Sequence, residues 1–375
     1  MTHALKARRI FTGDRELIDH AVIISGKLIE DVVPFREIDK NCSIVDMGNS
    51  VLAPGFIDVQ VNGGGGINLN STPTVAGVIA MTEAHRRFGT TGMLPTVITD
   101  RPEVQQRAAE AVVEARKQKP EVLGIHIEGP FLDPARKGAH DANLIRPMTT
   151  DDVTWLTSLK CGEVMVTLAP NKVSTTEITR LANAGIHVSL GHAEATAGQV
   201  VAALEAGASA FTHLFNAMSQ LGAREPGMVG AALTAENAYV GIIADGLHVH
   251  ERALKLACSA KRRDHIMLVT DAMCTAAGGP DHFMLQNREV HLKDGRLELP
   301  DGTLAGSNLT MDEAVRYCVH HLGLKLQDAL CMASTTPAQF LGLGARLGRI
   351  APGYLANLIN LDNGLRVKQT WVEGQ

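Results

Sequence analysis

Apolar and polar positions along this chain fall into a repeating unit. Short apolar runs at 56–61, 93–98, 122–127, 164–168, 186–190, 210–214, 239–244 and 265–270 are each followed by a helical stretch or a long loop. The runs are near-continuous rather than alternating, as expected of parallel strands buried on both faces. Segments 75–88, 103–118, 175–184 and 197–206 carry helical spacing, and Gly89, Gly185 and Gly207 stand where the first, third and fourth should stop. Eight such units predict an α/β fold, the (β/α)8 TIM barrel.

The two ends differ from the middle. Segments 4–10, 21–25, 28–33 and 44–51 read as strands, with a turn at Gly26. Segments 356–361 and 365–372 flank the turn Asp362-Asn363-Gly364. The expectation is one small β-sandwich built from both termini, residues 1–53 and 350–375, beside a barrel of residues 54–349. The barrel pattern breaks at 278–304, where Lys293-Asp294-Gly295-Arg296 marks a β-hairpin insertion ahead of a last helix near Asn308.

Composition changes this picture little. A chain of 375 residues has room for a barrel of about 250 residues and a smaller domain. Hydrophobic residues at 45% and charged residues at 20% are ordinary for a soluble enzyme. A net charge of -5 with no basic run argues against nucleic acid as a partner. No apolar run approaches the ~18 residues of a membrane span, and the first residues lack a signal-peptide core, so no membrane role is expected. Six scattered cysteines without a C-x-x-C pair suggest reduced thiols and a cytoplasmic enzyme. Of these only Cys274, close to Asp271, is placed to touch a site.

In a barrel of this kind chemistry collects where strands end. The expected ends carry Gln60 and Asn62, Glu128, His192, His213, Asp245 to His248, and Asp271. Two imidazoles and a carboxylate are a catalytic metal set that leaves positions open for water and substrate. Asp271 would stand beside that opening, where a carboxylate can take a proton from water and return it to a leaving amine. His126 and His187, inside or before their strands, read as core histidines.

The motifs Phe-Ile-Asp-Val-Gln-Val-Asn-Gly (56–63), His-Ile-Glu-Gly-Pro-Phe (126–131), Lys-Gly-Ala-His (137–140), Gly-His (191–192) and Thr-His-Leu-Phe-Asn-Ala-Met (212–218) follow in order along the chain. Arg-Glu-Pro-Gly (224–227), Ile-Ala-Asp-Gly-Leu-His (243–248), Val-Thr-Asp-Ala (269–272) and Leu-Ala-Gly-Ser (304–307) complete the series. Together they resemble the N-acetylglucosamine-6-phosphate deacetylases of the amidohydrolase superfamily, over almost the whole length. The resemblance implies a barrel with a terminal β-sandwich, and hydrolysis of N-acetylglucosamine 6-phosphate to glucosamine 6-phosphate and acetate. It implies that Glu128, His192 and His213 bind one divalent metal ion, with Zn2+ the first choice and Fe2+, Mn2+ or Co2+ as alternatives. Asp271 would be base and then acid, with His140 polarising the acetyl carbonyl beside the Ala139 backbone.

The same resemblance assigns the sugar phosphate to Asn216, Ala217, Arg224, Asp245 and His248, and the sugar to Leu304, Ala305 and Gly306. It implies a homodimer in which Arg224 reaches the neighbouring subunit's site. Many superfamily members place His-x-His on the first strand to hold a second metal. Gln60 and Asn62 replace that pair here, and neutral amides are poor zinc ligands beside imidazole. The fourth strand ends Ala169-Pro170-Asn171, without the bridging lysine of dinuclear members; the family often has Glu where Asn171 stands. One metal is therefore expected. Three other readings stay open: an N-acetylgalactosamine-6-phosphate deacetylase, an amidohydrolase of unphosphorylated amides, and a non-catalytic sugar-phosphate-binding relative.

Overall fold

The structure, a computed structural model, describes residues 2–375. Its central strands are β1 (Phe56–Val61), β2 (Thr90–Ile98), β3 (Gly124–Glu128), β4 (Glu163–Leu168), β5 (His187–Leu190), β6 (Ala210–Phe211), β7 (Tyr239–Ile242) and β8 (Ile266–Leu268). They pair in parallel in chain order. Glu128 stands opposite Ile98 and Thr167, Leu168 opposite Leu190, and Leu190 opposite Phe211. The C-terminal ends therefore form one rim.

A helix follows each strand: Val75–Arg86, Pro102–Arg116, Thr150–Ser158, Thr175–Asn183, Ala197–Glu205, Gly227–Thr234, Glu251–Ala260 and, after an inserted sheet, Met311–His320. Thr149, Ser174, Thr196 and Thr310 start four of them as reciprocal capping boxes with Asp152, Glu177, Gln199 and Glu313. Gly89, Gly185 and Gly207 follow the ends of three helices in the left-handed region, two of them helices with such a box, at φ +90°, +82° and +110°.

The barrel closes just beyond β8. Asp271 N–H donates to the Gln60 carbonyl at 3.0 Å, and Asn62 N–H to the Ala272 carbonyl at 2.9 Å. Asp58 of β1 locks this seam from inside. Its Oδ2 accepts the Thr270 hydroxyl at 2.6 Å, and its Oδ1 accepts the backbone N–H of Gln60 and of Thr270 at 3.1 and 3.3 Å. The closure thus sets the height of Gln60, Asn62 and Asp271 together.

Strands from both ends share one sheet. Leu358–Leu361 lies antiparallel to Val51–Pro54, which runs beside Thr2–Phe11, with Glu16–Ser25, Leu28–Pro34, Ser43–Asp46 and Val367–Trp371 completing it. Leu5, Ile10, Val22, Ile24, Leu52 and Leu358 pack as its core. The expected strand 44–51 is two strands, separated by a turn with Gly48 at φ +61°. At Gly55 the chain passes into β1. A Cβ there would lie 2.1 Å from Thr91 Oγ1, so only glycine lets the two sheets meet.

The insertion is larger than one hairpin. His282–Leu285, Arg288–Lys293, Arg296–Glu298 and Leu304–Ser307 form a four-stranded antiparallel sheet. Its first turn carries Gln286 at φ +56° where turn chemistry would favour glycine, so only the turn at Gly295 stands out in the sequence. Leu285, Val290, Leu297 and Ala305 pack on Ile98 and Met273, so the sheet lies over the rim.

Asp58 is fully buried, and burial pushes its carboxyl up to about 7, against the hydrogen bonds from Thr270 and Gln60 that pull it down. The folded chain then keeps a proton that an unfolded aspartate releases near pH 4 (about 3.9 in model peptides), so the stability contributed by Asp58 is lost as pH rises from about 4 to about 7. Asp58→Asn is expected to flatten that slope, so that the melting temperature of the variant gains on the native chain across this window. A difference independent of pH in thermal scans would contradict the raised value.

Candidate active site

Glu128 is the last residue of β3; His192 and His213 come two residues after β5 and β6. His192, His213 and Asp271 lie in the left-handed region, at φ +48°, +31° and +52°. Such backbone costs energy in a non-glycine residue and persists where surrounding contacts enforce it. The turn it makes sends each side chain inward over the barrel mouth. Glu128 Oε1 lies 3.1 Å from His192 Nε2 and 3.1 Å from His213 Nε2, and the two Nε2 atoms are 3.0 Å apart. His192 Nδ1–H donates to the Arg136 carbonyl at 2.9 Å, which leaves a lone pair on Nε2. His213 Nδ1 is buried without a partner.

Asp271 completes the floor. Its Oδ1 accepts from Asn62 Nδ2 at 2.6 Å and from Gln60 Nε2 at 3.1 Å. The same Gln60 amide donates to Glu128 Oε2 at 3.2 Å, so one side chain spaces the two carboxylates. Burial, with the Glu128 charge beside it, pushes the Asp271 carboxyl up to about 6. Burial would also raise Glu128, but the imidazoles of His192 and His213 against it overcome that and hold Glu128 well below the usual carboxylate range. Below the floor, burial pushes His126 down to about 4, so it is neutral, in keeping with a core histidine.

A cavity of about 510 Å3 opens above these groups, lined also by His140, Asn216, Ala217, His248, Leu304 and Gly306. His248 is oriented by Asp245, whose Oδ2 accepts Nδ1–H at 2.6 Å, and its Nε2 is buried without a partner. Asp245 itself does not line the cavity: its other oxygen accepts the N–H of Leu247 and of His248. Ala305 points into the core of the inserted sheet. Arg224 is exposed and lies outside the cavity of its own chain. Asn171 is also outside it, bonded to Asp133. Cys274 is buried, and its thiol is pushed up to about 11 by burial, so it is inert at neutral pH.

Two groups escaped sequence reasoning. Thr99 Oγ1 lies 2.7 Å from His140 Nδ1. From the inserted sheet, Gln286 Nε2 donates to the Thr99 carbonyl at 2.9 Å and Arg288 Nη2 to the Ala139 carbonyl at 2.5 Å. The inserted sheet thus holds the Ala139 carbonyl next to His140 and the backbone of Thr99, its ring partner just beyond β2. A glycine at the first turn of the inserted sheet would have signalled this segment, and Gln286 stands there instead.

Residues 51–375 match the Amidohydrolase family, and residues 2–52 match the NagA composite domain. The chain belongs to the amidohydrolase family. It is 47% identical over 330 residues to an N-acetylgalactosamine-6-phosphate deacetylase of Shewanella sp. (strain ANA-3), covering 87% of this chain and 83% of that one. It is 35% identical over 381 residues to an N-acetylglucosamine-6-phosphate deacetylase of Haemophilus influenzae, covering 100% and 99%. The crystal structure of N-acetylglucosamine-6-phosphate deacetylase from Pasteurella multocida matches the fold with a TM-score of 0.97 at 35% identity, over 100% of this chain and 99% of that one.

In this amidohydrolase the donor cluster fits a divalent cation. A tetrahedral ion about 2.0–2.1 Å from each ligand spaces those ligands roughly 3.3 Å apart, close to the observed triangle. Three electron-rich atoms facing one another in a buried place call for positive charge between them. Glu128, His140 and His192 also bring ligand atoms within 4.8 Å of one another. The triangle with His213 is the tighter one, and His140 Nδ1 faces the Thr99 hydroxyl. Arg288→Ala is expected to release the 137–140 loop while leaving the barrel intact. Hydrogen exchange should rise at residues 137–140 and stay unchanged in the helix Val75–Arg86; unaltered exchange in the loop would show that Arg288 does not hold it.

Proposed function

We propose that this amidohydrolase removes the acetyl group of an N-acetylhexosamine 6-phosphate, giving the amino sugar 6-phosphate and acetate. The observation that supports it best is the Glu128–His192–His213 triangle, with the Asp271 carboxylate facing the same cavity. Glu128, His192 and His213 would hold a single divalent ion, most naturally Zn2+. Such an ion polarises an acetamide carbonyl and lowers the pKa of water from about 15.7 towards about 7.

The chain's own residues account for the rest. Asp271 Oδ1 is committed to Asn62 and Gln60, which leaves Oδ2 to take the proton of the attacking water and pass it to the sugar nitrogen as the C–N bond breaks. Its raised affinity for a proton suits both halves of that task. With the Thr99 hydroxyl donating to His140 Nδ1, Nε2–H is left to donate to the acetyl oxygen as charge develops there. The second-metal positions are filled by Gln60 and Asn62, whose amides hold the carboxylates apart and make two metals unnecessary.

The phosphate reading rests on His248, whose Nε2 lines the cavity unpartnered, with Asn216 and the Ala217 backbone beside it. Arg224 stands on an exposed loop next to Leu221, which is 56% exposed. A homodimer that brings this loop over the neighbouring cavity would give the phosphate its bidentate partner. A phosphorylated sugar does not cross a membrane unaided, so the cytoplasm is the fitting compartment.

The motifs read first as those of the gluco enzyme. The galacto epimer is the second reading, favoured by the 47% identity to the Shewanella protein. Acetate release from both 6-phosphates, assayed side by side with unphosphorylated N-acetylglucosamine, tests the proposal. Turnover of the 6-phosphates with little on the free sugar is expected, and the larger kcat/KM names the epimer; equal turnover of the free sugar would overturn the phosphate assignment. Asp271→Asn should keep its metal in elemental analysis while turnover falls by about 10²–10⁴-fold. A near-native rate would remove Asp271 from its role. Arg224→Ala should raise KM for the 6-phosphate far more than it lowers kcat, and an unchanged KM would place the phosphate elsewhere.

A further inference from the structure

The barrel interior beneath the donor cluster is polar, although the strands around it are largely apolar. Thr96, His126, Thr167, Ser189 and Thr212 are no more than 1% exposed. Ser189 Oγ lies 2.7 Å from Thr212 Oγ1, Thr212 Oγ1 2.6 Å from Thr167 Oγ1, and Thr167 Oγ1 2.7 Å from His126 Nε2. On the other side of the ring, Nδ1 faces Thr96 Oγ1 at 3.4 Å. Thr96 accepts the Val61 N–H at 2.8 Å and gives its own hydrogen to the Leu94 carbonyl at 3.1 Å, so towards the ring it can only accept.

The Thr96 acceptor on the Nδ1 side puts the ring's single hydrogen there and leaves a lone pair on Nε2. The sense of every other link follows, because each hydroxyl has one hydrogen to give. Thr167 donates to His126, Thr212 to Thr167, and Ser189 to Thr212. One unbranched chain therefore crosses the barrel from β5, through the end of β6 and β4, to β3 and β2.

Each link but one stands just beneath a group of the site. Ser189 precedes His192 by three residues, Thr212 precedes His213, His126 precedes Glu128 by two, and Thr96 precedes Thr99, the partner of His140, by three. The exception is Thr167. Its strand β4 supplies nothing to the donor cluster, yet Thr167 joins the His213 strand to the Glu128 strand.

We propose that this buried hydroxyl–imidazole chain, with Thr167 as its hub, is a positioning network that sets the relative heights of β3, β5 and β6 and so the spacing of the three ligand atoms. Apolar side chains would fill the same space without direction and would tolerate small slips of one strand against the next. Hydrogen bonds of this length tolerate much less, and a low-dielectric interior makes a broken one costly. The inference rests on the reading that Glu128, His192 and His213 hold a divalent cation.

Cobalt(II) alone, titrated into the metal-stripped full chain and followed by its visible absorption, tests it. Thr167→Val keeps the shape and removes the hub. It is expected to weaken Co2+ binding by about 10–100-fold, the usual consequence of losing support behind metal ligands, and to shift the absorption band. Thr167→Ser, which restores the hydroxyl, should recover both affinity and band. A Thr167→Val protein with native affinity and band, whatever its melting temperature, would overturn the proposal and leave the chain a matter of core packing. If that variant does not fold, Ser189→Ala removes the terminal donor instead, and a native cobalt spectrum there would overturn it equally. Native Co2+ affinity in Glu128→Ala would instead overturn the ligand reading, and the positioning role with it.

Discussion

Three electron-rich atoms, one from each of three strands, meet within about 3 Å in a buried place. That is the constraint around which the rest of the molecule is arranged. A carboxylate and two imidazole lone pairs repel one another unless positive charge lies between them, and burial raises the cost of leaving them uncompensated. The backbone bears part of that cost. His192, His213 and Asp271 are all held in the left-handed region, where a side chain is strained. Sheet register, barrel closure and the polar interior together keep it there.

The devices that hold the cluster come from different levels of structure. Parallel register aligns the ends of β3, β5 and β6. The Asp58–Thr270 seam brings Asp271 to the height of Gln60 and Asn62. The Gln60 amide bonds both Glu128 and Asp271 and so spaces the two carboxylates, and the Asn62 amide holds Asp271. The inserted sheet closes over the rim and bonds the carbonyls of Ala139 and of Thr99, the neighbour and the ring partner of His140. Chemistry at one point thus depends on contacts between residues more than two hundred positions apart.

The barrel was legible because its signals are local. Eight apolar runs with helices between them read directly, and glycine stops marked three helix ends. Glu128, His192, His213 and Asp271 were visible because a strand end is itself a local feature. What stayed hidden was non-local or lacked its usual marker. The first turn of the inserted sheet uses Gln286 in place of glycine, so a four-stranded sheet looked like one hairpin. Arg288 and Thr99 carry no motif, and only the docking of two distant segments gives them work. Asp245 looked like a ligand contact, and in the fold its carboxylate is occupied by His248.

From its order of residues alone, this chain determined which strands would form and which side chains would stand at their ends, because period, apolar runs and turn residues act over a few positions. Only the tertiary structure decided that Glu128, His192 and His213 face one another, that Asp271 keeps one oxygen uncommitted, and that hydroxyls rather than methyl groups join the strands beneath. Those outcomes depend on register and closure, which are properties of the whole barrel and are written in no single stretch of it.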